Sequence, residues 1–455
     1  MNIKQLRQTI LDHAIRGQLV SQDPTDEPAS VLLERIRAEK EQLIKDKKLK
    51  REKRDNQPIE EIPFEIPEGW VWCRLGEIAY IASGSTPKST SFVDKGIPYL
   101  KVYNLRNQVI DFDYKPQYIK ESIHNGILKR SKTEIGDLIM NIVGPPLGKL
   151  AIIPTSLPES NFNQAAVLIR PYLHKNIINK YLFYFLSEMS EINSISTKGS
   201  AGQVNISLSQ AKDMKIPLPP LKEQHRIVQK IEQLFALIDI IEVNKKALEK
   251  LIQQAKSQVL SDAVAGKLTH QDPNDEPAEE LLKRIGKTTA PDTPYEKMLP
   301  KGWTCTEMQV LCQLLDGKKK KGVLHPYLDV GFLRGKTEGS YKENGKYIPK
   351  NTHLILVDGE NSGEIFTTTI EGYQGSTLKI LNISQEVNEQ FIFYILRKEQ
   401  KLFKESKTGS AIPHLNKKIF KELIVFLPPL AEQCRIVKKI ETYFAVFDKI
   451  KNELI

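Results

Sequence analysis

From residue 221 to residue 265 the chain runs without Pro or Gly, and its apolar residues return every three or four positions. Ile227, Ile231, Leu234, Ile238, Ile241, Leu248, Ile252, Ala255 and Val259 hold a heptad a/d register, with Lys245 the one polar intruder. The stripe predicts a helix of about 45 residues, roughly 67 Å long, whose seam needs a partner helix. Pro219 and Pro220 stop the segment before it, and Gly266 suits its C-terminal cap. Elsewhere the period shortens. Residues 61–199 and 289–408 break into strand-like runs (IPYLKVYNL, GDLIMNIV, AAVLIRPY, HLILVDG, STLKILNI) separated by Gly, Asn and Pro turns. Each region ends near a helical stretch, KYLFYFLSEM or QFIFYILRKE, and each is domain-sized and α/β. Residues 26–55 carry acidic side chains ahead of Pro28 and basic ones at the far end, which predicts a charged helix projecting from the body.

The pattern is written twice. LPPLKEQHRIVQKIEQLFALID (218–239) returns as LPPLAEQCRIVKKIETYFAVFD (427–448) with fifteen of 22 positions identical. ILDHAIRGQLVSQDPTDEPASVLLERI (10–36) returns at 259–285, again with fifteen identities, in 27 positions. IPEGW (66–70) answers to LPKGW (299–303), PYLKVYNLRN (98–107) to PYLDVGFLRG (326–335), and KGSA (198–201) to TGSA (408–411). The order is conserved between the copies, so the chain reads as a tandem duplication whose second copy lacks much of the charged arm. Ile436, Ile440, Tyr443, Phe447 and Ile450 repeat the register of the long helix, and Ile455 aligns with Lys246 while Met1 aligns with Lys250. A second long helix assembled from both ends of the chain is therefore expected, antiparallel to the first in a pseudo-twofold particle.

Composition narrows the class. The 455 residues fit two to four domains, and 40% hydrophobic with 27% charged residues is an ordinary globular balance. No apolar run approaches the roughly 18 residues that span a bilayer, and the N-terminal stretch alternates polar and apolar residues, so a cytoplasmic location is expected. Four scattered cysteines without a C-x-x-C pair predict neither disulfides nor a structural metal. GPPLGKL (144–150) is one residue short of a phosphate loop, with Leu150 where a hydroxyl would ligate magnesium, and reads as a turn. No H-E-x-x-H, G-x-S-x-G or G-x-G-x-x-G appears. The reading is a binder, not an enzyme.

A net charge of +10 is compatible with a polyanion partner. Polar and basic side chains crowd the turns of both mixed regions. In the first these are Ser85, Thr86, Lys88, Lys101, Asn104, Arg106, Asn107, Lys149, Asn163 and Gln164, together with KGSAGQVN at 198–205. The second offers Lys318 and Lys319 in DGKKKKG, Arg334, Lys336, Asn361, Gln374 and Ser376, together with KTGSAIPH at 407–414. Amides pair bidentately with adenine and guanidinium or ammonium with guanine, while hydroxyls and lysines suit phosphates. Singly, each such loop is also what an ordinary solvated turn looks like.

The paired GQLVSQDPTDEPA/GKLTHQDPNDEPA, PEGW/PKGW and LPPLKEQHRIV/LPPLAEQCRIV segments, with GENSGEIF, GYQGSTLKI and GSAIPHLN, resemble the specificity (S) subunit of type I restriction–modification systems over essentially the whole chain. The resemblance implies two α/β target-recognition domains separated by two long antiparallel coiled-coil segments. Its division would be a helical segment at 1–60, recognition domains at 61–199 and 289–408, and conserved helical regions at 200–288 and 409–455. Each domain would read half of a bipartite site in double-stranded DNA, with the helices setting the spacer and docking two methyltransferase (M) subunits, which restriction (R) subunits then join. Glu223, Gln224, Arg226, Glu432, Gln433 and Arg435 are the expected partner contacts. No cofactor is expected on this chain, since S-adenosylmethionine, ATP and magnesium would sit on the partners. A stand-alone double-headed DNA-binding regulator and a purely structural coiled-coil protein are the competing classes.

Overall fold

The computed structural model describes residues 2–51, 58–59, 62–144, 147–157, 159–188, 204–286, 299–409 and 413–453. Most of KGSAGQVN, residues 410–412 of KTGSAIPH, residues 145–146 and the expected limits at 60, 199 and 288 lie outside these. The chain divides into two compact units, Met1–Val243 and Asn244–Ile455, and the division falls inside a 44-residue helix, Leu221–Val264. The first turn of this helix is tied down by Gln224, whose backbone N–H donates to Pro220 O and whose side-chain amide donates to Pro219 O, at 2.9 and 2.8 Å. Gly266, at φ +68°, follows its end in the left-handed conformation that glycine adopts without strain.

In the first unit Ile227, Ile231 and Ile238 of the long helix share a core with Ile10, Leu11 and Ala14 of the helix Ile3–Ile15. The Arg7 guanidinium lies 4.8 Å from the Phe235 ring and ion-pairs Asp239, while Asp26 takes Arg226 at 2.7 Å. Numbers rise on one strand of contacts as they fall on the other, so the two segments run in opposite directions. The second unit makes the same contacts. Lys256 lies 4.9 Å from the Phe444 ring and 2.6 Å from Asp448, and Arg435 pairs with Asp275. There Ile436, Val437 and Ile440 of the helix Leu430–Glu453 bury against Leu260 and Ala263.

Along the heptad register of the long helix Ile227, Ile231, Ile238 and Ile252 are buried. Ile241 is 44% exposed, as are Tyr443 and Ile450 of the second helix in lesser degree, and the apolar residues Leu237, Ile240, Val243 and Leu251, which lie off the register, are exposed as well. The 13 residues of Ile3–Ile15 cover only about 20 Å of a neighbour. Leu430–Glu453 covers the far end, where Leu260 and Ala263 are buried. The charged segment departs from expectation. Its helix, Ala29–Lys45, buries Leu32, Leu33 and Ile36 in the first unit's core, and Lys40 donates to Gly76 O at 2.9 Å. Three apolar residues on one face of the helix outweigh its charge, so it packs instead of projecting.

Each unit carries a mixed body whose first and last strands lie side by side. Val71–Arg74 pairs antiparallel with Lys215–Leu218, and Thr304–Glu307 pairs antiparallel with Ile424–Leu427. Beyond this neck the first unit has a four-stranded antiparallel sheet in the order Leu150–Ile152, Leu138–Asn141, Ala166–Pro171, Ala79–Ser83. The second has Ile365–Thr367, His353–Leu356, Leu378–Ile383, Cys312–Leu315, also antiparallel throughout. Leu138–Asn141 and His353–Leu356 are buried at every position, which is why GDLIMNIV and HLILVDG read as continuous apolar runs instead of alternating ones. The helices Lys175–Glu188 and Glu389–Lys398 cover these sheets where the sequence predicts a helix.

Candidate nucleic-acid interface

The repeated motifs converge on one buried knot per unit. Glu223 accepts from Trp70 Nε1 at 3.0 Å and from Gln22 Nε2 at 3.1 Å, and Gln22 also donates to Gly17 O at 2.7 Å. A Cβ on Gly17 would lie 2.3 Å from Pro67, so only glycine fits beneath the Pro-x-Gly-Trp corner. In the second unit Glu432 accepts from Trp303 Nε1 at 2.9 Å and Gln271 Nε2 at 3.0 Å, and a Cβ on Gly266 would meet Pro300 at 2.5 Å. Gln433 donates to Pro428 O and accepts from the Asn388 backbone N–H, both at 2.8 Å.

Glu223, Gln224, Glu432 and Gln433 are at most 1% exposed, and burial pushes the Glu223 carboxyl above its usual range. Arg226 and Arg435 are committed to Asp26 and Asp275. Of the six residues expected to meet a partner, Glu223, Gln224, Glu432 and Gln433 close the fold, while Arg226 and Arg435 keep about a third of their side chains exposed beside their ion pairs. The four buried side chains have no solvent contact and so no surface to offer a second protein.

In the first unit, two polar loops pack back to back. The Ser85 backbone N–H donates to Phe162 O at 3.1 Å, Tyr99 Oη donates to Ser85 O at 2.9 Å, and a Cβ on Gly84 would clash with Asn163 O at 2.2 Å. This contact brings Ser85, Thr86 and Lys88 together with Asn163 and Gln164, of which Thr86, Lys88 and Gln164 are exposed. The buried Asn163 Oδ1 has no hydrogen-bond partner. Beside them runs a basic–aromatic ladder. Lys101 Nζ lies 5.8 and 5.9 Å from the Phe92 and Tyr103 rings, Tyr103 meets Tyr114 edge to face at 6.0 Å, and Arg106 and Lys115 lie 4.1 and 5.4 Å from Tyr114.

Arg106 is further held by Asp111 at 3.2 Å. Asn107 and Gln108, at φ +48° and +62°, form the two-residue turn of its hairpin. Asn104 is not a reader. It is buried, accepts from Lys101 N and donates to Asp111 O and Tyr114 O, so its amide is spent on the loop that carries the ladder. Lys149 sits apart, on the turn after Leu138–Asn141, where its backbone N–H donates to Asn141 Oδ1 at 2.5 Å.

In the second unit Lys318 and Lys319 lie on an 11-residue strand, Lys318–Leu328, and not on the turn that DGKKKKG suggests. It pairs with Tyr341–Ile348 so that Lys318 faces Tyr347 and Lys319 faces Lys346, with a bulge between Lys321 and His325. Alternation divides the lysines between the two faces of this hairpin. On one, Lys320 lies 4.2 Å from the Tyr347 ring; Lys342 lies 3.3 Å from that of Tyr327. On the other, Lys319 stands directly opposite Lys346, whose ammonium is held by Asp316 at 3.0 Å.

Gln374 does not belong to this surface. It is buried, accepting from Gly317 N and donating to Asp316 and Leu378 O, which holds the strand start in place. Ser376 is exposed beside it. Arg334 is half-buried and ion-paired with Glu364, while Lys336 and Asn361 are exposed. The aromatic members of both ladders, Tyr103, Tyr114, Tyr327 and Tyr347, and their cations Lys115, Lys320 and Lys342 escaped the loop-by-loop reading. For the first unit's members the interleaving of Lys, Tyr and Arg in KVYNLR and DYKP was the signal.

Among the described residues no helix is long and apolar enough to cross a membrane. Residues 67–250 and 312–455 match the family described as type I restriction modification DNA specificity domain. The specificity subunits of the type I restriction enzymes EcoAI and EcoEI, both from Escherichia coli, are 27% and 28% identical over 99% of this chain and 90% and 91% of their own lengths. The fold is similar to the HsdS subunit from Thermoanaerobacter tengcongensis, with TM-score 0.53 and 19% identity over 86% of this chain and 95% of that one.

Proposed function

This chain belongs to the type I restriction modification DNA specificity family, and on that premise we propose that its two units each read one half of a bipartite DNA target. The reading rests on one observation: each unit bears its own basic–aromatic surface, built on its own strands. Cations over aromatic faces are pre-oriented to meet phosphates, and the neighbouring exposed amides and lysines offer base-edge partners. Two readers joined through the helix Leu221–Val264 would leave the bases between the half-sites unread.

The finer parts of the proposal follow the duplication. Matching contacts at Arg7–Asp239 and Lys256–Asp448 support a tandem repeat in which Ile3–Ile15 and Leu430–Glu453 together form the antiparallel counterpart of the long helix, a pseudo-twofold coiled coil with circularly arranged ends. Methyltransferase subunits would dock on the exposed apolar residues of the long helix, Leu237, Ile240 and Val243 among them, in place of the buried Glu–Gln pairs. Methyl transfer and cleavage, with S-adenosylmethionine, ATP and magnesium, would belong to the partner methyltransferase and restriction subunits.

The test is a methylome. Co-expression with the partner methyltransferase in a host without adenine methylation should yield a single interrupted motif with a fixed spacer. A soluble, assembled complex that methylates no interrupted motif would overturn the proposal.

A further inference from the structure

Opposite Glu343 the strand Lys318–Leu328 spends three residues where its partner spends one, since Lys321 faces Asn344 and His325 faces Lys342. The three are Gly322, at φ +73°, then Val323 and Leu324, which stand 40% and 62% exposed. Such a bulge re-aims side chains out of the pleat, and the glycine takes its left-handed turn without strain. The bulge is also tied down. Fully buried Tyr373 donates from Oη to Val323 O at 2.7 Å, and the Gly322 backbone N–H donates to Asn344 Oδ1 at 3.2 Å. Buried His325 anchors its far side, 5.3 and 5.2 Å from the Tyr347 and Tyr373 rings. A solvated turn puts polar residues in such a place; here two branched apolar side chains are fixed in water instead. Around them the two strands carry six lysines and one glutamate. Asp316 takes Lys346 and Glu371 takes Tyr347 Oη, and the hairpin stays basic with both counted. Lys321 lies on the near side of the apolar pair and Lys342, across from His325, on the far side.

We infer that Leu324, with Val323 beside it, is a wedge that enters between two base pairs from the minor groove of the DNA under the second unit. The inference rests on the DNA-reading assignment above and adds a position selected without a base hydrogen bond. Apolar wedges carried by DNA-binding proteins part a base step and kink the duplex, and pyrimidine–purine steps part most easily. The second half-site or its flank should therefore hold such a step where Leu324 enters. Lys321 and Lys342 are placed for the phosphates on either side of it.

Leu324 is exposed, so Leu324→Ala and Leu324→Gln are expected to fold, and Leu324→Phe keeps an apolar wedge. The full chain in its methyltransferase complex should be bound to a cognate duplex carrying a fluorescent donor and acceptor at its two ends. Energy transfer should report a bend at least about 20° larger with the wild type and Leu324→Phe than with the other two variants. Affinity should fall about 10-fold in Leu324→Ala and Leu324→Gln, because a buried leucine contact is lost. The slope of log affinity against log salt should not move, since no charge is removed. Folded Leu324→Ala and Leu324→Gln complexes with the wild-type bend and affinity would overturn the inference. So would folded variants that no longer capture the methyltransferase, which would assign the pair to a protein partner. Failure of the DNA-reading assignment itself is separately visible, as a wild-type complex with no salt-dependent duplex binding.

Discussion

Trp70 and Trp303 each place an indole N–H on a buried carboxylate, and each indole also roofs a glycine that cannot be anything else. Trp70→Phe keeps most of the ring and removes the donor. It should cost about 1–3 kcal/mol, because Glu223 is left with an unmet acceptor away from water. Equilibrium denaturation would read this loss, and the methylated motif should not change. Asp316 supplies a pH test. Donation from Lys379, then Lys346 and Gln374, holds its carboxyl at about 2 against the opposing effect of partial burial. A depressed carboxylate stabilises the fold above its ordinary value, roughly 4, and that contribution disappears as pH falls toward 2. Asp316→Asn should therefore lower stability at neutral pH and flatten its decline between pH 4 and 2, measured by thermal melts across that window. The residues that fooled sequence reasoning share a cause: Glu223, Gln224, Asn104 and Gln374 are polar side chains spent on backbone or indole groups that become neighbours only in the fold. A polar residue in a turn-rich or helix-start segment looks the same whether it serves solvent, a ligand or its own chain.

Elements were more legible. The long helix was readable to within a residue because 44 residues without Pro or Gly leave few alternatives, and the central strands announced themselves as apolar runs. The strand Lys318–Leu328 was hidden. Its four consecutive lysines and flanking glycines carry turn chemistry, and the tyrosines that steady Lys320 and Lys342 lie up to 27 residues away in sequence. This hairpin is also vulnerable at one point. A Cβ on Gly345 would lie 2.6 Å from the Tyr373 ring, whose hydroxyl ties down Val323 O and Glu343 O. Gly345→Val should splay the hairpin, abolishing recognition by the second unit while circular dichroism retains the helical signal. A variant that methylates the unchanged bipartite motif would show that the hairpin takes no part in reading.

At the scale of the molecule, the repeated segments were visible in sequence, but what they build was not, since likeness between segments does not report contact. Gly17, Gln22, Trp70 and Glu223 are scattered over more than 200 positions, and only the structure brings them to one point. If the helices act as a ruler, inserting four residues (just over one turn) into the long helix and into its counterpart should change the spacer and leave both half-sites untouched. Methylome sequencing of the insertion variant reads both quantities at once, and an unchanged spacer would remove the ruler.

The paired neck strands have an evolutionary consequence. Because Val71 lies opposite Leu218 and Thr304 opposite Leu427, each body begins and ends at adjacent points on its scaffold. A foreign body with the same two leads could be spliced in by a crossover in the repeated Pro-Gly-Trp and Pro-Pro-Leu segments, leaving the knots and helices intact. Lineages carrying this architecture could thus acquire a new DNA address by exchanging a cassette of gene sequence, with no need to evolve one residue by residue.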